Sequence, residues 1–142
     1  MAIGVRGMDK VVHFEIPAEN VSRAKKFYSE IFGWQIDKVP AEDMEYYIVK
    51  TVGTDEKNMP LEAGAINGGL MKRTGKTETP VLVINVPSVD DYLKRIEKAG
   101  GKTVMEKQKV MDMGLYARVS DTEGNVIGIW QDIKGMAPEK GK

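Results

Sequence analysis

One pattern of apolar residues occurs twice in this chain of 142 residues, and this repeat constrains the fold more than any other feature. A constant shift of 68 residues aligns the two copies without a gap. The aligned pairs are Phe14 with Leu82, Ile16 with Ile84, Val21 with Val89, Ala24 with Tyr92, Tyr28 with Ile96 and Gly33 with Gly101. Two copies are too few for a solenoid, so the repeat predicts an internally duplicated structure.

Each copy begins with a strand and continues with a helix. In the first copy, residues 11–16 alternate between apolar and polar side chains, as in a strand with one buried face. Residues 21–32 have the three-and-four spacing of an amphipathic helix, and Gly33 is placed to end it. The second copy repeats this order, with a strand over 81–86 and a helix over 89–99.

Three further strands are predicted after each helix. They are 34–37, 44–51 and 61–66 in the first copy, and 103–105, 114–120 and 125–131 in the second. Gly68 and Gly69 follow the last strand of the first copy, at a point that requires backbone freedom or close approach of another group. The pattern therefore predicts an α+β fold, in which each copy is a βαβββ module with its helix on one face of its sheet.

The modules are divided by a polar segment. Residues 72–79 are the best candidate for a linker, so module one is 9–72 and module two is 79–133. We expect one domain over 1–142, because a chain of this length suits one core. Residues 134–142 are expected to form a loose tail.

Charge and composition exclude several kinds of partner and site. Lys and Arg number 21 against 21 Asp and Glu, so the chain lacks the positive field that attracts nucleic acids. It has no cysteine, which excludes disulfides, thiolate metal sites and a catalytic cysteine. No stretch reaches the about 18 apolar residues of a membrane span, and none resembles a secretion signal. We therefore expect no membrane partner and a cytoplasmic location.

Six short segments resemble the vicinal oxygen chelate superfamily, the group of glyoxalase I, extradiol dioxygenases and bleomycin-resistance proteins. They are VVHFEIP from Val11, AKKFY from Ala24, FGW from Phe32, NGGLM from Asn67, AGG from Ala99 and DTEGN from Asp121. The resemblance covers roughly residues 9–133 and is greatest to the glyoxalase-related branch. It implies two tandem βαβββ modules that form a curled eight-stranded sheet around a central cup, where active members bind a divalent metal.

The resemblance also implies which residues would hold that metal. Glyoxalase-type members supply a histidine or glutamine from the first strand and a glutamate from the last strand of each module. When these positions are carried over to this sequence, His13 is the first-strand ligand of module one. Val81 occupies the equivalent position of module two. The last ligand of module two falls at Gly128, and its match falls near Gly64, two residues after Glu62. His13 and Glu62 are then the remaining candidate ligands, so we expect an incomplete site and no cofactor, with a divalent metal as the alternative.

Strand alternation indicates which other side chains face the cup. His13 and Glu15 share the face of the first strand opposite its apolar residues, and they are the candidate catalytic residues. Either Tyr46 or Tyr47 adds a phenol. The candidate ligand-binding residues are Tyr47, Tyr116, Arg118 and Trp130. One guanidinium among aromatic rings suits a small aromatic or carboxylate-bearing ligand.

Each candidate also has an ordinary structural interpretation. His13 can be a hydrogen-bonded structural residue, and Glu15 can form an ion pair with a lysine. Arg118 can form a salt bridge with Glu15 or Asp121, while the rings can simply fill the core.

Three functions follow from these alternatives. The leading one is a module that binds a small organic molecule without a complete metal site. The others are a metal-dependent lyase or isomerase of the lactoylglutathione-lyase type with substituted ligands, and a metal-free enzyme in which His13 is the acid or base. Because β-rich cups of this kind commonly pair, we also expect a homodimer.

Overall fold

The computed structural model describes residues 7–40, 45–75 and 78–133. These residues form two compact units. The N-terminal unit is Val12–Val81, and the C-terminal unit combines the chain from Leu82 onward with the residues before Val12. Each unit is described below by itself.

The described residues of the N-terminal unit form four strands and one helix. In chain order they are β1 (Val11–Ala18), α1 (Val21–Phe32), β2 (Gln35–Lys38), β3 (Tyr46–Lys50) and β4 (Asn67–Lys72). The strands lie in the order β2-β3-β4-β1, with β1 parallel to β4 and the other pairs antiparallel.

The C-terminal unit repeats this arrangement. Its elements are β5 (Val81–Asn85), α2 (Val89–Lys98), β6 (Lys102–Val110), β7 (Gly114–Ser120) and β8 (Val126–Asp132). The strands lie in the order β6-β7-β8-β5, with β5 parallel to β8 and the other pairs antiparallel. The predicted α+β class and the two βαβββ modules are therefore confirmed.

The strand register extends the alignment of the two units to their last strands. Glu15 of β1 pairs with Gly69 of β4, and Val83 of β5 pairs with Gly128 of β8. Since Glu15 and Val83 are aligned by the 68-residue shift, Gly69 and Gly128 are equivalent positions of the two units.

Both helices begin at a polar N-cap residue. The Asn20 side chain accepts a hydrogen bond from the backbone N–H of Arg23, and Gly33 ends α1 with a left-handed φ of 73°. The Ser88 side chain accepts the N–H of Asp91 at the start of α2. Local side-chain chemistry thus sets the start of both helices, and Gly33 ends α1 as predicted.

Each helix covers one face of its own sheet. In the N-terminal unit the buried cluster is Ala18, Val21, Ile36, Val49 and Leu70, with Phe14, Ile16 and Tyr28 among the residues packed against it. In the C-terminal unit it is Val86, Val89, Ala117 and Ile129, with Ile84, Leu115 and Leu93 among the neighbours. Because strand side chains alternate, the residues between these positions point to the face without a helix.

Some strand predictions are wrong in their boundaries. Residues 61–66 form turns and irregular backbone, and the strand begins at Asn67, so Gly68 and Gly69 lie inside β4. The reason is a contact with a distant part of the chain: a Cβ at Gly68 would lie 2.5 Å from the Phe14 ring, so glycine inside the strand leaves room for that ring. The strand predicted at 103–105 is longer, since β6 covers Lys102–Val110.

Other predictions are not tested by this description. The start of the strand predicted at 44–51, part of the linker at 72–79 and the tail at 134–142 lie outside the described residues. The single domain, the shared cup and the cytoplasmic location stay predictions. Within the part of the chain that is described, no helix is long and apolar enough to cross a membrane.

Candidate functional site

Two polar side chains of the first strand lie on the face of the N-terminal unit that α1 does not cover. Phe14 and Ile16 pack in the cluster under the helix, so His13 and Glu15 point to the opposite face. Glu15 is buried, with 8% of its surface exposed. A buried carboxylate beside an imidazole is an uncommon pair on an apolar sheet, and both candidate catalytic residues are therefore brought together.

Tyr46 completes this group. Its hydroxyl lies 2.9 Å from Nε2 of His13, within hydrogen-bond distance. The ring of Tyr46 lies over Gly69 of the neighbouring strand, where any Cβ would overlap the phenol. Glycine at this position is thus what allows the tyrosine to reach the histidine.

The electrostatics of His13 favour the neutral imidazole. Burial lowers the pKa of His13 below its ordinary value of 6.5, and the nearby Glu15 carboxylate opposes this shift as the smaller influence. A neutral ring can accept a proton at one nitrogen and donate from the other. The group can therefore hold a hydrogen bond in either direction with Tyr46, depending on the tautomer.

Two candidates of the N-terminal unit are placed elsewhere. Tyr47 packs against the buried cluster under α1, on the opposite face from His13, with Nζ of Lys25 6.0 Å from its ring centroid. The geometry favours Tyr46 as the phenol of the site, and a ligand contact by Tyr47 stays a prediction. Glu62 is exposed in the turn that precedes β4 and is not on a strand. The match of Gly128 is Gly69 rather than the region of Gly64, because the register between β1 and β4 places Gly69 level with Glu15.

The remaining three candidates meet on one face of the C-terminal unit. Ala117 and Ile129 pack under α2, so Tyr116, Arg118 and Trp130 point to the face without the helix. Nε of Arg118 donates to the Tyr116 hydroxyl at 3.0 Å, and the guanidinium carbon lies 5.9 Å from the ring centroid. The rings of Tyr116 and Trp130 are 6.4 Å apart between centroids. The predicted grouping of a guanidinium with aromatic surface is present within this unit.

Glycines also leave room for the rings of Tyr116 and Trp130. A Cβ at Gly128 would lie 2.6 Å from the hydroxyl of Tyr116, and a Cβ at Gly114 would overlap the Trp130 ring. Trp130 is further fixed by its indole N–H, which donates to Asp132 at 2.9 Å. The other carboxylate oxygen of Asp132 lies 3.4 Å from the side-chain amide nitrogen of Asn85.

The same packing of a tyrosine ring over a glycine therefore occurs in both units. A tyrosine from the third strand of the module lies over a glycine of the fourth strand, as Tyr46 over Gly69 and as Tyr116 over Gly128. The sequence alone does not decide between Tyr46 and Tyr47, and it does not single out Asp132. The burial of Val49 places Tyr46 on the opposite face, because residues three apart on a strand lie on opposite faces, but the adjacent Ile48 and Val49 leave this undecided in the sequence. Asp132 was missed because the last strand was ended at Gln131, one residue too early.

These positions do not fit the metal ligands that the resemblance implies. The last-strand positions are glycines in both units, Gly69 and Gly128, and Val81 aligns with His13. Among residues 7–40, 45–75 and 78–133, no group of three or more His, Cys, Asp or Glu side chains is placed to hold a metal ion. Apart from His13, the aligned positions offer a divalent ion no donor atom from their side chains.

Comparison with known proteins agrees with this fold. The family model for the Glyoxalase/Bleomycin resistance protein/Dioxygenase superfamily matches residues 10–129. Two curated relatives, named putative glyoxylase CFP32 in Mycobacterium bovis and in Mycobacterium tuberculosis, are each 28% identical over 120 residues. The match covers 82% of this chain and 43% of each relative, so the chain spans less than half the length of these relatives.

Solved structures share the fold at low sequence identity. A methylmalonyl-CoA epimerase from Mycobacterium tuberculosis is 14% identical with a TM-score of 0.62, over 89% of both chains. A Streptomyces coelicolor methylmalonyl-CoA epimerase in complex with 2-nitronate-propionyl-CoA is 12% identical with a TM-score of 0.62, over 89% of this chain and 99% of that one. A superfamily member from Vibrio splendidus is 12% identical with a TM-score of 0.58, over 89% of this chain and 100% of that one.

Proposed function

Because this chain belongs to the Glyoxalase/Bleomycin resistance protein/Dioxygenase superfamily, we propose that it binds a small organic molecule without a divalent metal ion. The observation that carries this proposal is the tyrosine that lies over a glycine in each unit. Gly128 stands where the resemblance implies a carboxylate ligand, and Gly69 is its equivalent. A glutamate at either position would have to displace a tyrosine ring, so the packing of both units opposes the ligand set.

The chemistry of the C-terminal unit supports a ligand with a carboxylate or an aromatic ring. Arg118 provides a permanently charged fork of N–H donors, and Tyr116 and Trp130 provide aromatic surface. Packing over Gly128 and Gly114 and the hydrogen bond to Asp132 hold the rings of Tyr116 and Trp130 in place. This reduces the side-chain entropy that is lost when a ligand binds. Short acyl thioesters are a further class to test, since the epimerase above was solved with an acyl-CoA analogue.

The first experiment measures metal content and metal response together. Protein purified without chelator or affinity tag is assayed by elemental mass spectrometry, and its thermal stability is recorded with Mn²⁺, Ni²⁺, Zn²⁺ and Mg²⁺. We expect substoichiometric metal and no stabilisation that depends on His13. Stoichiometric metal that disappears in His13→Ala would overturn the proposal in favour of a metal-dependent lyase or isomerase.

The second part tests the ligand face. Calorimetric titration with aromatic carboxylates and short acyl thioesters is compared between the wild type and Arg118→Gln. A carboxylate ligand should bind about tenfold or more weakly to the variant, because a charge-assisted hydrogen bond is lost. Arg95→Gln is the matched control, since Arg95 also lies over a tyrosine ring, 4.5 Å from the centroid of Tyr92, but on α2. Equal losses in both variants would contradict a site at Arg118.

A second candidate function is metal-free proton transfer, which the contact between His13 and Tyr46 favours. The lowered pKa keeps His13 neutral at physiological pH, and a neutral imidazole can accept a proton from an acidic C–H or from the phenol. Exchange of the α-proton of an acyl thioester in deuterated water, followed by NMR, measures this activity directly. His13→Gln and Tyr46→Phe should both abolish the exchange, and exchange that persists in both variants would exclude this function.

A further inference from the structure

The last strand of the N-terminal unit leads into a guanidinium with an unused donor. Nε of Arg73 is buried, and within the described part of the chain it is the only buried side-chain nitrogen or oxygen that has no hydrogen-bond partner. The guanidinium makes one contact, from Nη2 to the carbonyl oxygen of Pro17 at 3.4 Å, which is long for a hydrogen bond. A buried N–H without a partner costs free energy, so such a group requires an explanation, for example a bound ligand, ion or water.

The charge of Arg73 is also not neutralised by the described residues. None of the ion pairs found among them includes Arg73. Glu78 is close in sequence, but its Oε1 accepts hydrogen bonds from the backbone N–H and the hydroxyl of Thr74. Because arginine stays protonated in proteins, Arg73 is a permanent positive charge without a counter-charge from the described part of the chain.

Arg73 lies on the face of the N-terminal unit that α1 does not cover. Its backbone N–H donates to the carbonyl oxygen of Ala18 at 2.8 Å, so the hydrogen bonds between β1 and β4 continue through this residue. Leu70 packs in the cluster under α1, and residues three apart on a strand point to opposite faces. Pro17, whose carbonyl oxygen contacts the guanidinium, follows Glu15 by two residues on β1. The guanidinium therefore lies on the same face as the buried Glu15 carboxylate.

The C-terminal unit shows that the fold does not need an arginine at this position. Arg73 and Asp132 are each four positions after the glycine that lies under the tyrosine ring, so they are equivalent. The carboxylate of Asp132 has two neighbours, since it accepts the indole N–H of Trp130 at 2.9 Å and lies 3.4 Å from the amide nitrogen of Asn85. The 68-residue shift aligns Asn85 with Pro17, which has no polar side chain. The N-terminal unit thus reverses the charge and leaves it without a comparable partner.

We propose that Arg73 binds the anionic group of a small ligand, a carboxylate or a phosphate, on the face of the N-terminal unit that α1 leaves open. A guanidinium presents its N–H donors as a planar fork that fits both groups. Because only one long contact holds it, the side chain can turn and offer the unused Nε together with one Nη to the ligand. This site belongs to a different unit from Arg118, and it does not depend on the proposed function.

NMR of arginine side chains in isotope-labelled protein tests the site directly. Inorganic phosphate and succinate are titrated separately at constant ionic strength, and the Nε–H signal of Arg73 is identified by its absence in Arg73→Lys. We expect this signal to shift saturably, and the anion with the higher affinity identifies the group as a phosphate or a carboxylate. The backbone N–H of Thr74 reports the same binding in Arg73→Met, where the affinity should fall about tenfold or more because charge-assisted hydrogen bonds are lost.

Two other arginines serve as controls. Arg23→Met removes an exposed arginine of the same unit and should leave the affinity unchanged. An Arg73 signal that does not move throughout both titrations, or an equal loss of affinity in Arg23→Met, would overturn the proposal. Arg118→Gln should retain the binding. Binding that is lost in Arg118→Gln but kept in Arg73→Met would assign the anion to the site of the proposed function and would also overturn this inference.

Urea unfolding separates ligand binding from a structural role of Arg73. In a buffer without phosphate or carboxylate, Arg73→Met should unfold at the same or a higher urea concentration than the wild type, because the apolar side chain leaves no unpaired buried donor. Added anion should then raise the midpoint of the wild type and not that of the variant. A clearly lower midpoint of Arg73→Met in the anion-free buffer would show a structural role and contradict the proposal.

Discussion

The two units share one architecture but carry different chemistry on the faces that their helices leave uncovered. The first strand of the N-terminal unit presents His13 and Glu15, whereas the matching residues of the C-terminal sequence repeat are Val81 and Val83. On the third strand the difference is reversed, because Arg118 aligns by register with Ile48. Polar groups that occur in only one copy are not required by the fold. They are therefore the residues to which ligand binding or catalysis is most reasonably assigned.

The pairing of a tyrosine with a glycine is the feature that both units keep. In each unit the ring crosses from the third strand to the fourth and lies over the backbone of the glycine. Glycine weakens a strand in isolation, and a ring that covers it restores buried surface and excludes water from its backbone. The shared pair therefore belongs to the construction of the module, while the hydroxyl of each tyrosine contacts a different side chain, His13 in the N-terminal unit and Arg118 in the C-terminal unit.

The largest effect is expected when the shared pair is broken. Gly69→Ala and Gly128→Ala should each lower the free energy of unfolding by about 1–3 kcal/mol, because the added methyl group overlaps a tyrosine ring. Urea unfolding followed by tryptophan fluorescence measures the change. Similar losses in the two variants would show that the pair has the same structural role in both units.

Gly75→Ala is the control for the glycine variants. A Cβ at Gly75 meets no atom within 4 Å, so we expect a change within about 0.5 kcal/mol. Stability of Gly69→Ala or Gly128→Ala at the level of this control would contradict close packing of the ring. Replacement of Tyr46 by Ala together with Gly69→Ala should cost less than the sum of the two single changes, since the overlap is then removed.

A smaller effect should distinguish the two neighbouring tyrosines of β3. Tyr46→Phe removes the hydroxyl that lies 2.9 Å from Nε2 of His13, and we expect a loss of about 1 kcal/mol in the free energy of unfolding. Tyr47→Phe is the matched control on the helix-covered face and should change stability less. If the Tyr47 variant loses more, the assignment of Tyr46 to the histidine would be wrong.

Among the described residues, the repeat, both helices and seven of the eight strands follow from the sequence, because they depend on the spacing of apolar residues. The predicted position of the remaining strand, β4, is wrong because Gly68 and Gly69 have the pattern of a break between strands. Their meaning depends on the rings of Phe14 and Tyr46, which come from distant parts of the chain. Single-sequence patterns hold no information about such contacts, so glycine inside a strand and glycine in a turn look alike.

The candidate site could also be predicted only in part: the face of each strand followed from the sequence, but the register between strands did not. Alternation correctly grouped His13 with Glu15, and Tyr116 with Arg118, because the alternation of side chains within one strand is fixed by backbone geometry. Parity between strands requires the register, which the sequence does not supply. For that reason Glu62 was placed near the equivalent of Gly128, although the register gives that position to Gly69.

The smallest effect concerns the pH dependence of stability, in which the two units should differ. Burial lowers the pKa of His13 in the folded chain, whereas the unfolded chain titrates near 6.5. Between these two values the unfolded state binds more protons, so stability falls as the pH decreases below about 6.5 and is fully present above it. His13→Gln should remove this component while changing stability little at neutral pH. The C-terminal sequence repeat has Val81 at this position and contributes no such titration.

Two measurements check this prediction. Unfolding free energies of the wild type and His13→Gln, compared between about pH 5 and pH 7.5, should diverge only on the acid side. Asp55 and Asp121 do not interfere, because hydrogen bonds from neighbouring groups lower the pKa of both carboxyls below their ordinary value of 3.8. Since His13 is the only histidine of the sequence, its ring protons give one unambiguous NMR titration. A midpoint at or above 6.5 would mean that the attraction of Glu15 outweighs burial, and the predicted loss of stability on the acid side would then be absent.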